Sequence, residues 1–122
     1  IIDSIPVMRA IAMGHSRNVV ILTRNKGWRD DGKDRKVPHF IYKNYPRLRL
    51  ALSKRHESYN AQLQMVDDLE DEGKLVCIRP QKPIEVKRME KDTAKLERLY
   101  EEGFSLGEEF CTKLEKGEIT LD

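Results

Sequence analysis

Three histidines, two cysteines, five serines and two dense basic clusters are the residues of this chain that could do chemistry. A hydrolytic serine needs a strained elbow between a strand and a helix, with an oxyanion hole beside it. None of Ser4, Ser16, Ser53, Ser58 and Ser105 reads as standing in that setting. Ser4 reads as a helix cap, and Ser53 and Ser58 as helix surface. His15, His39 and His56 do not follow the spacing of a zinc-binding helix, and Cys77 and Cys111 have no Cys-x-x-Cys partner, so no metal site is expected. No cofactor is expected either, since Gly27 and Gly32 do not form a phosphate-cradling loop. Cys77 falls inside an apolar run and reads as a small core residue.

The first basic cluster is Arg24, Lys26, Arg29, Lys33, Arg35 and Lys36, with the single tryptophan, Trp28, inside it. Such a loop could touch anionic lipid headgroups or a partner, with Arg24, Lys26, Trp28 and Arg29 as its contacts. Interspersed acids favour a plain solvated loop. Arg47, Arg49, Lys54 and Arg55 form a second cluster. The acidic run Asp67-Asp68, Glu70-Asp71-Glu72 reads as a solvated helix end, without the spacing of a calcium loop.

The elements that must hold these residues follow from local pattern. Asp3 or Ser4 can cap a helix from Pro6 to Met13, stopped by Gly14. Val19-Val20-Ile21-Leu22-Thr23 reads as a strand buried on both faces, as in a parallel sheet under helices. A helical region follows Val37-Pro38, with Pro46 ending or kinking its first piece. The second piece, about residues 47–71, places Leu48, Leu52, His56, Tyr59, Leu63 and Val66 on one continuous face. His56 and Tyr59 are therefore structural candidates. Gly73 stops that helix. Leu75-Val76-Cys77-Ile78 is a second buried strand, and Pro83 to Val86 could be an extended edge. Asp92 caps a last helix with Leu96, Leu99 and Tyr100 on its buried side. Gly103 interrupts it, and Leu106, Phe110 and Leu114 carry the period on toward Gly117.

This order predicts an α/β fold around a parallel βαβ unit. The 122 residues suffice for one ordinary domain. A boundary is expected near residue 88, with residues 89–122 a helical extension. The 23 Lys and Arg against 21 Asp and Glu give a net charge of +2, too even for a dedicated nucleic-acid binder. No apolar run is long enough to span a bilayer. Two cysteines make no disulfide framework, which fits a reducing, cytoplasmic setting. A pair of short parallel strands makes a thin sheet, and the chain opens Ile1-Ile2-Asp3 without Met. Both suggest a piece of something larger.

Several segments together resemble the C-terminal part of the bacterial patatin-like phospholipase family. They are Asp3-Ser4-Ile5-Pro6, then Asn18-Val19-Val20-Ile21-Leu22-Thr23-Arg24 with Gly27, then Tyr42-Lys43-Asn44-Tyr45-Pro46. Arg55-His56-Glu57-Ser58-Tyr59-Asn60, Ile78-Arg79-Pro80 and Leu99-Tyr100-Glu101-Glu102-Gly103-Phe104 continue the series. The resemblance implies a partial three-layer α/β/α fold and a parent that cleaves lipid esters with a Ser-Asp dyad. The nucleophile of that family stands in a Gly-x-Ser-x-Gly elbow and its acid in an Asp-Gly-Gly motif, just before the segment matching Asp3 to Pro6. This chain reads as lacking both. Asp3 matches the aspartate after the dyad acid, so Asp3, Ser4 and Pro6 would form a wall of the active site.

Three readings follow from these residues. The first is an inactive fragment of a lipid acyl hydrolase, cytoplasmic or peripheral to the membrane. Its partners would be the missing N-terminal portion and, in the parent, a lipid or ester substrate. The second is a non-catalytic structural or interaction module, pairing as a homodimer through its sheet edge. The third is a small nucleic-acid binder using residues 24–36; the balanced charge argues against nucleic acid as the partner.

Overall fold

The computed structural model describes residues 3–33, 38 and 40–121. Arg35 and Lys36 of the first basic cluster, Val37 and His39 lie outside the described residues. The chain forms α1 (Val7–Ala12), β1 (Asn18–Ile21), α2 (Pro46–Ser53), α3 (Arg55–Asp71), β2 (Leu75–Ile78) and α4 (Thr93–Glu115). β1 and β2 pair in parallel, with Asn18 opposite Leu75 and Ile21 opposite Ile78. The result is a small α/β fold: a βαβ-like unit flanked by helices.

Strand alternation sorts the sheet into two faces. Val20, Leu22, Leu75 and Cys77 join the main core with Ile5, Val7, Leu63 and Val66. That core sits between the sheet and α3, and Val66 is its most buried side chain. Val76 and Ile78 look the other way, toward Leu106 and Phe110 of α4. α4 packs mainly against β2. On the same side of the sheet Ile21 is 76 % exposed. The expectation that β1 is buried on both faces therefore fails on one face. Burial depends on which helix covers a strand, and a run of β-branched residues does not specify that.

Several local expectations hold. β2 covers the four residues expected. Gly73 and Gly117 end α3 and α4 with φ of +70° and +71°. The Asp92 carboxylate caps α4 by accepting from the backbone N–H groups of Ala94 at 3.0 Å and Lys95 at 3.4 Å.

Others are corrected. Residues 40–44 form turns in place of the expected first helical piece, so Pro46 ends no helix; it opens α2, because proline fits the first turn, whose N–H groups have no partner anyway. The expected continuous helix over 47–71 breaks at Lys54, which separates α2 from α3. Residues 83–86 form no strand. α4 runs unbroken through Gly103; one glycine costs about 1 kcal/mol, which the rest of a long helix absorbs. Leu99 is half-buried, but Tyr100 is 71 % exposed and Leu96 is also exposed, so only part of the expected buried side is buried.

Candidate functional site

The segment before α1 is held by a side chain, though not by the expected cap. α1 has no side-chain cap. Gln62 on α3 instead accepts from the backbone N–H groups of Ser4 at 3.2 Å and Ile5 at 3.3 Å. Its amide donates to the Asp3 carboxylate at 2.6 Å. One glutamine thus holds Asp3 and Ser4, two of the three residues expected to line an active-site wall, together with Ile5. Gln62 has no sequence signal, since a glutamine on a helix usually faces water.

Ser4, Pro6, the residues of β1 and Tyr59 line an open groove of about 440 Å³. The Leu22 N–H donates to the Ile78 carbonyl at 2.9 Å, across to β2. By the alternation of a strand, the backbone groups of Val19 and Ile21 point away from β2, along the groove. The lining is apolar side chain and open backbone. It can take up an extended segment; it brings together no acid, base and nucleophile.

One pattern escaped the sequence reading. Gly103-Phe104-Ser105-Leu106-Gly107 spells Gly-x-Ser-x-Gly. The five residues lie in the middle of α4. There, backbone N–H groups are bonded to carbonyls four residues back, so none is free to form an oxyanion hole. Ser105 is exposed on a regular helix, with no strand-to-helix elbow.

The loop after β1 is partly solvated, with Lys26, Asp31 and Lys33 exposed, but it is tied down by its neighbours. Lys26 pairs with Asp71 at 2.6 Å and Glu70 at 3.3 Å. Arg29 donates to Gln64 at 2.7 Å and Asp67 at 3.1 Å. Arg79, just after β2, reaches Asp67 at 2.7 Å and also pairs with Glu70. Trp28 meets Tyr59 edge to face, with centroids 6.2 Å apart, and the Arg24 guanidinium lies 4.7 Å from the Trp28 ring centre. Asn60 bonds both ways with the Asp30 backbone. Lys33 pairs with Asp31 at 2.9 Å.

The expectation of a solvated acidic helix end holds for Asp68, Asp71 and Glu72, which are exposed, and is corrected for Asp67 and the half-buried Glu70. Asp67 is only 6 % exposed. Burial pushes its carboxyl up, but the hydrogen bonds and charges of Arg79 and Arg29 outweigh that and hold it below the usual carboxylate value. Burial is also the main cause that raises the neighbouring Cys77 thiol to about 11, so it stays protonated and unreactive at neutral pH. Cys77 lies against the core, as its setting in the sequence suggested. His56 is half-buried on α3, close against Gly32: a Cβ on that glycine would come within 3.0 Å of the imidazole. Tyr59 packs against the core. Among the described residues no group of His, Cys, Asp and Glu is placed to hold a metal ion. No helix among them is long and apolar enough to cross a membrane.

A family model described as a domain of unknown function (DUF6363) matches residues 45–117, and the chain belongs to that family. The match runs from the start of α2 through α4 and leaves out β1. No curated protein and no solved structure matches the chain.

Proposed function

We propose that this chain is a non-catalytic part of a larger α/β protein, and that the larger protein is a patatin-like lipid acyl hydrolase. The observation that carries the first half is the open edge of β1. A parallel pair this short normally lies inside a wider sheet covered on both faces. Here the edge of β1 faces a groove and Ile21 is bare. Neighbouring strands would complete the sheet at that edge, beside the wall residues Asp3, Ser4 and Pro6. The second half rests on the sequence resemblance alone. In that reading the larger protein supplies the serine nucleophile, the dyad aspartate and the oxyanion hole, and this chain supplies the wall, two strands and the helices behind them.

The test is the coding sequence directly upstream of the Ile1 codon, followed by an esterase assay of the encoded protein. An in-frame Asp-Gly-Gly next to Ile1, a Gly-x-Ser-x-Gly further upstream, and ester cleavage lost on changing that serine to alanine are expected. An unrelated upstream sequence overturns the hydrolase reading. The same open edge favours one alternative, an interaction module whose β1 pairs with a second copy. Sedimentation of the chain as a dimer, with Val19 and Ile21 amides protected from exchange, would support that alternative.

A further inference from the structure

We propose that α2 and the turn before it form a docking surface for an anionic lipid bilayer. Residues 40–58 hold Lys43, Arg47, Arg49, Lys54 and Arg55 and a single acid, Glu57. This gives the segment a net charge of +4 in a chain whose total is +2. Among the described residues, none of those five cations forms an ion pair, unlike Lys26, Arg29 and Arg79. The buried Nε atoms of Arg49 and Arg55 have no hydrogen-bond partner.

Apolar groups stand among these charges. Phe40 is 77 % exposed, Tyr45 64 % and Leu50 57 %. Arg47, Leu50, Ala51 and Lys54 follow helical spacing along one side of α2. With Arg55 and Ser58 they line an open groove of about 280 Å³. Exposed rings and a leucine interleaved with cations on long aliphatic stems are the composition of an interfacial surface. The rings and stems enter the headgroup region while the charges meet lipid phosphates.

The charge complementarity of the whole molecule points the same way. α4 carries Glu97, Glu101, Glu102, Glu108, Glu109 and Glu115 against Lys95, Arg98 and Lys113. An anionic surface attracts α2 and repels α4, which orients the chain with α2 down. The other occupant with suitable charge is a second copy, offering the exposed Leu96, Tyr100 and Phe104 of α4. Tyr100 and Phe104 already stack on each other, with centroids 6.2 Å apart, and present a filled surface instead of a knob for the groove. The docking surface is independent of the hydrolase reading, because it needs no active site.

The test is co-sedimentation of the full chain with vesicles of phosphatidylcholine alone and of phosphatidylcholine with about one-third phosphatidylserine. Binding is expected to the anionic vesicles only. R47Q/K54Q should weaken it more than tenfold, at about fivefold per cation lost. F40S/Y45S/L50S should also weaken it more than tenfold. K87Q/R88Q, the same charge loss elsewhere, should change it less than threefold. All the residues changed are exposed, and an unaltered far-UV spectrum checks each variant's fold.

No binding to either vesicle overturns the proposal, as does equal binding to neutral vesicles. Equal losses in the two charge variants would mean net charge alone. A loss with R47Q/K54Q but not with F40S/Y45S/L50S would mean a general polyanion site, and binding lost with R24Q would move the contact to the loop after β1. Self-association without vesicles that disappears in F40S/Y45S/L50S would assign the face to a second copy. Each of these results also overturns it.

Discussion

The two basic clusters look alike in sequence and differ in the fold. In the loop after β1, Lys26 and Arg29 meet carboxylates of α3, and Arg24 lies over Trp28. In residues 43–55, Lys43, Arg47, Arg49, Lys54 and Arg55 form no ion pair among the described residues. Both contain aromatic residues. What separates them is where α3 places its acids. Asp67, Glu70 and Asp71 lie at the C-terminal end of α3, beside the β1 loop and the end of β2. Arg47 and Lys54 lie at the other end of the α2–α3 pair. Density of charge along a chain therefore says little about which charges are available; the location of counter-charges decides it.

Removing the centre of the paired cluster is the strongest way to break this comparison. Asp67→Ala leaves Arg79 and Arg29 facing a buried gap, and breaking one side of such a buried pair costs about 3 kcal/mol. Urea unfolding should show the loss as a lower midpoint. A midpoint unchanged by Asp67→Ala would mean that the network does not stabilise the fold. Gly32→Ala is the next largest. Its φ of +69° is strained for alanine, and the new methyl group would meet His56 at 3.0 Å, so about 1 kcal/mol is expected in the same measurement.

Acid titration sharpens the comparison further. The Asp67 carboxyl is depressed in the folded state, so its contribution is fully present above its ordinary value of 3.8 and is lost as pH falls through the lower folded value. Thermal unfolding between pH 5 and about 2 should show a steeper decline in the native chain than in Asp67→Asn. Parallel curves would mean that Asp67 titrates normally. The smallest effect belongs to the unpaired cluster. Arg47→Gln, exposed and without an ion pair, should change stability by less than about 0.5 kcal/mol.

Much of the fold was legible where the signal is local. β2 is bounded by Gly73 and Arg79-Pro80, and Asp92 caps α4 through its own side chain. Glycine at positive φ after α3 and α4 is equally local. Pro46 supports two readings, because proline marks both the end of one helix and the first turn of the next, and only the second applies here. Gly103 suggests a break because its cost is visible in sequence, while the cooperativity of 23 helical residues is not. The exposure of Ile21, the grip of Gln62 on residues 3–5 and the burial of Asp67 are tertiary facts. They depend on α3 and α4 reaching particular strand ends across long sequence separations. The serine pattern at residues 103–107 shows the converse: the letters of a motif are present, and the helix around them denies it the chemistry.

The most direct test of the contrast is one paired experiment. Thermal unfolding of Lys26→Gln/Arg29→Gln is compared with that of Arg47→Gln/Lys54→Gln, each removing two positive charges. A clearly lower midpoint is expected for the first pair and a midpoint within about 2 °C of the native chain for the second. Equal losses, or a larger loss for the second pair, would contradict the contrast.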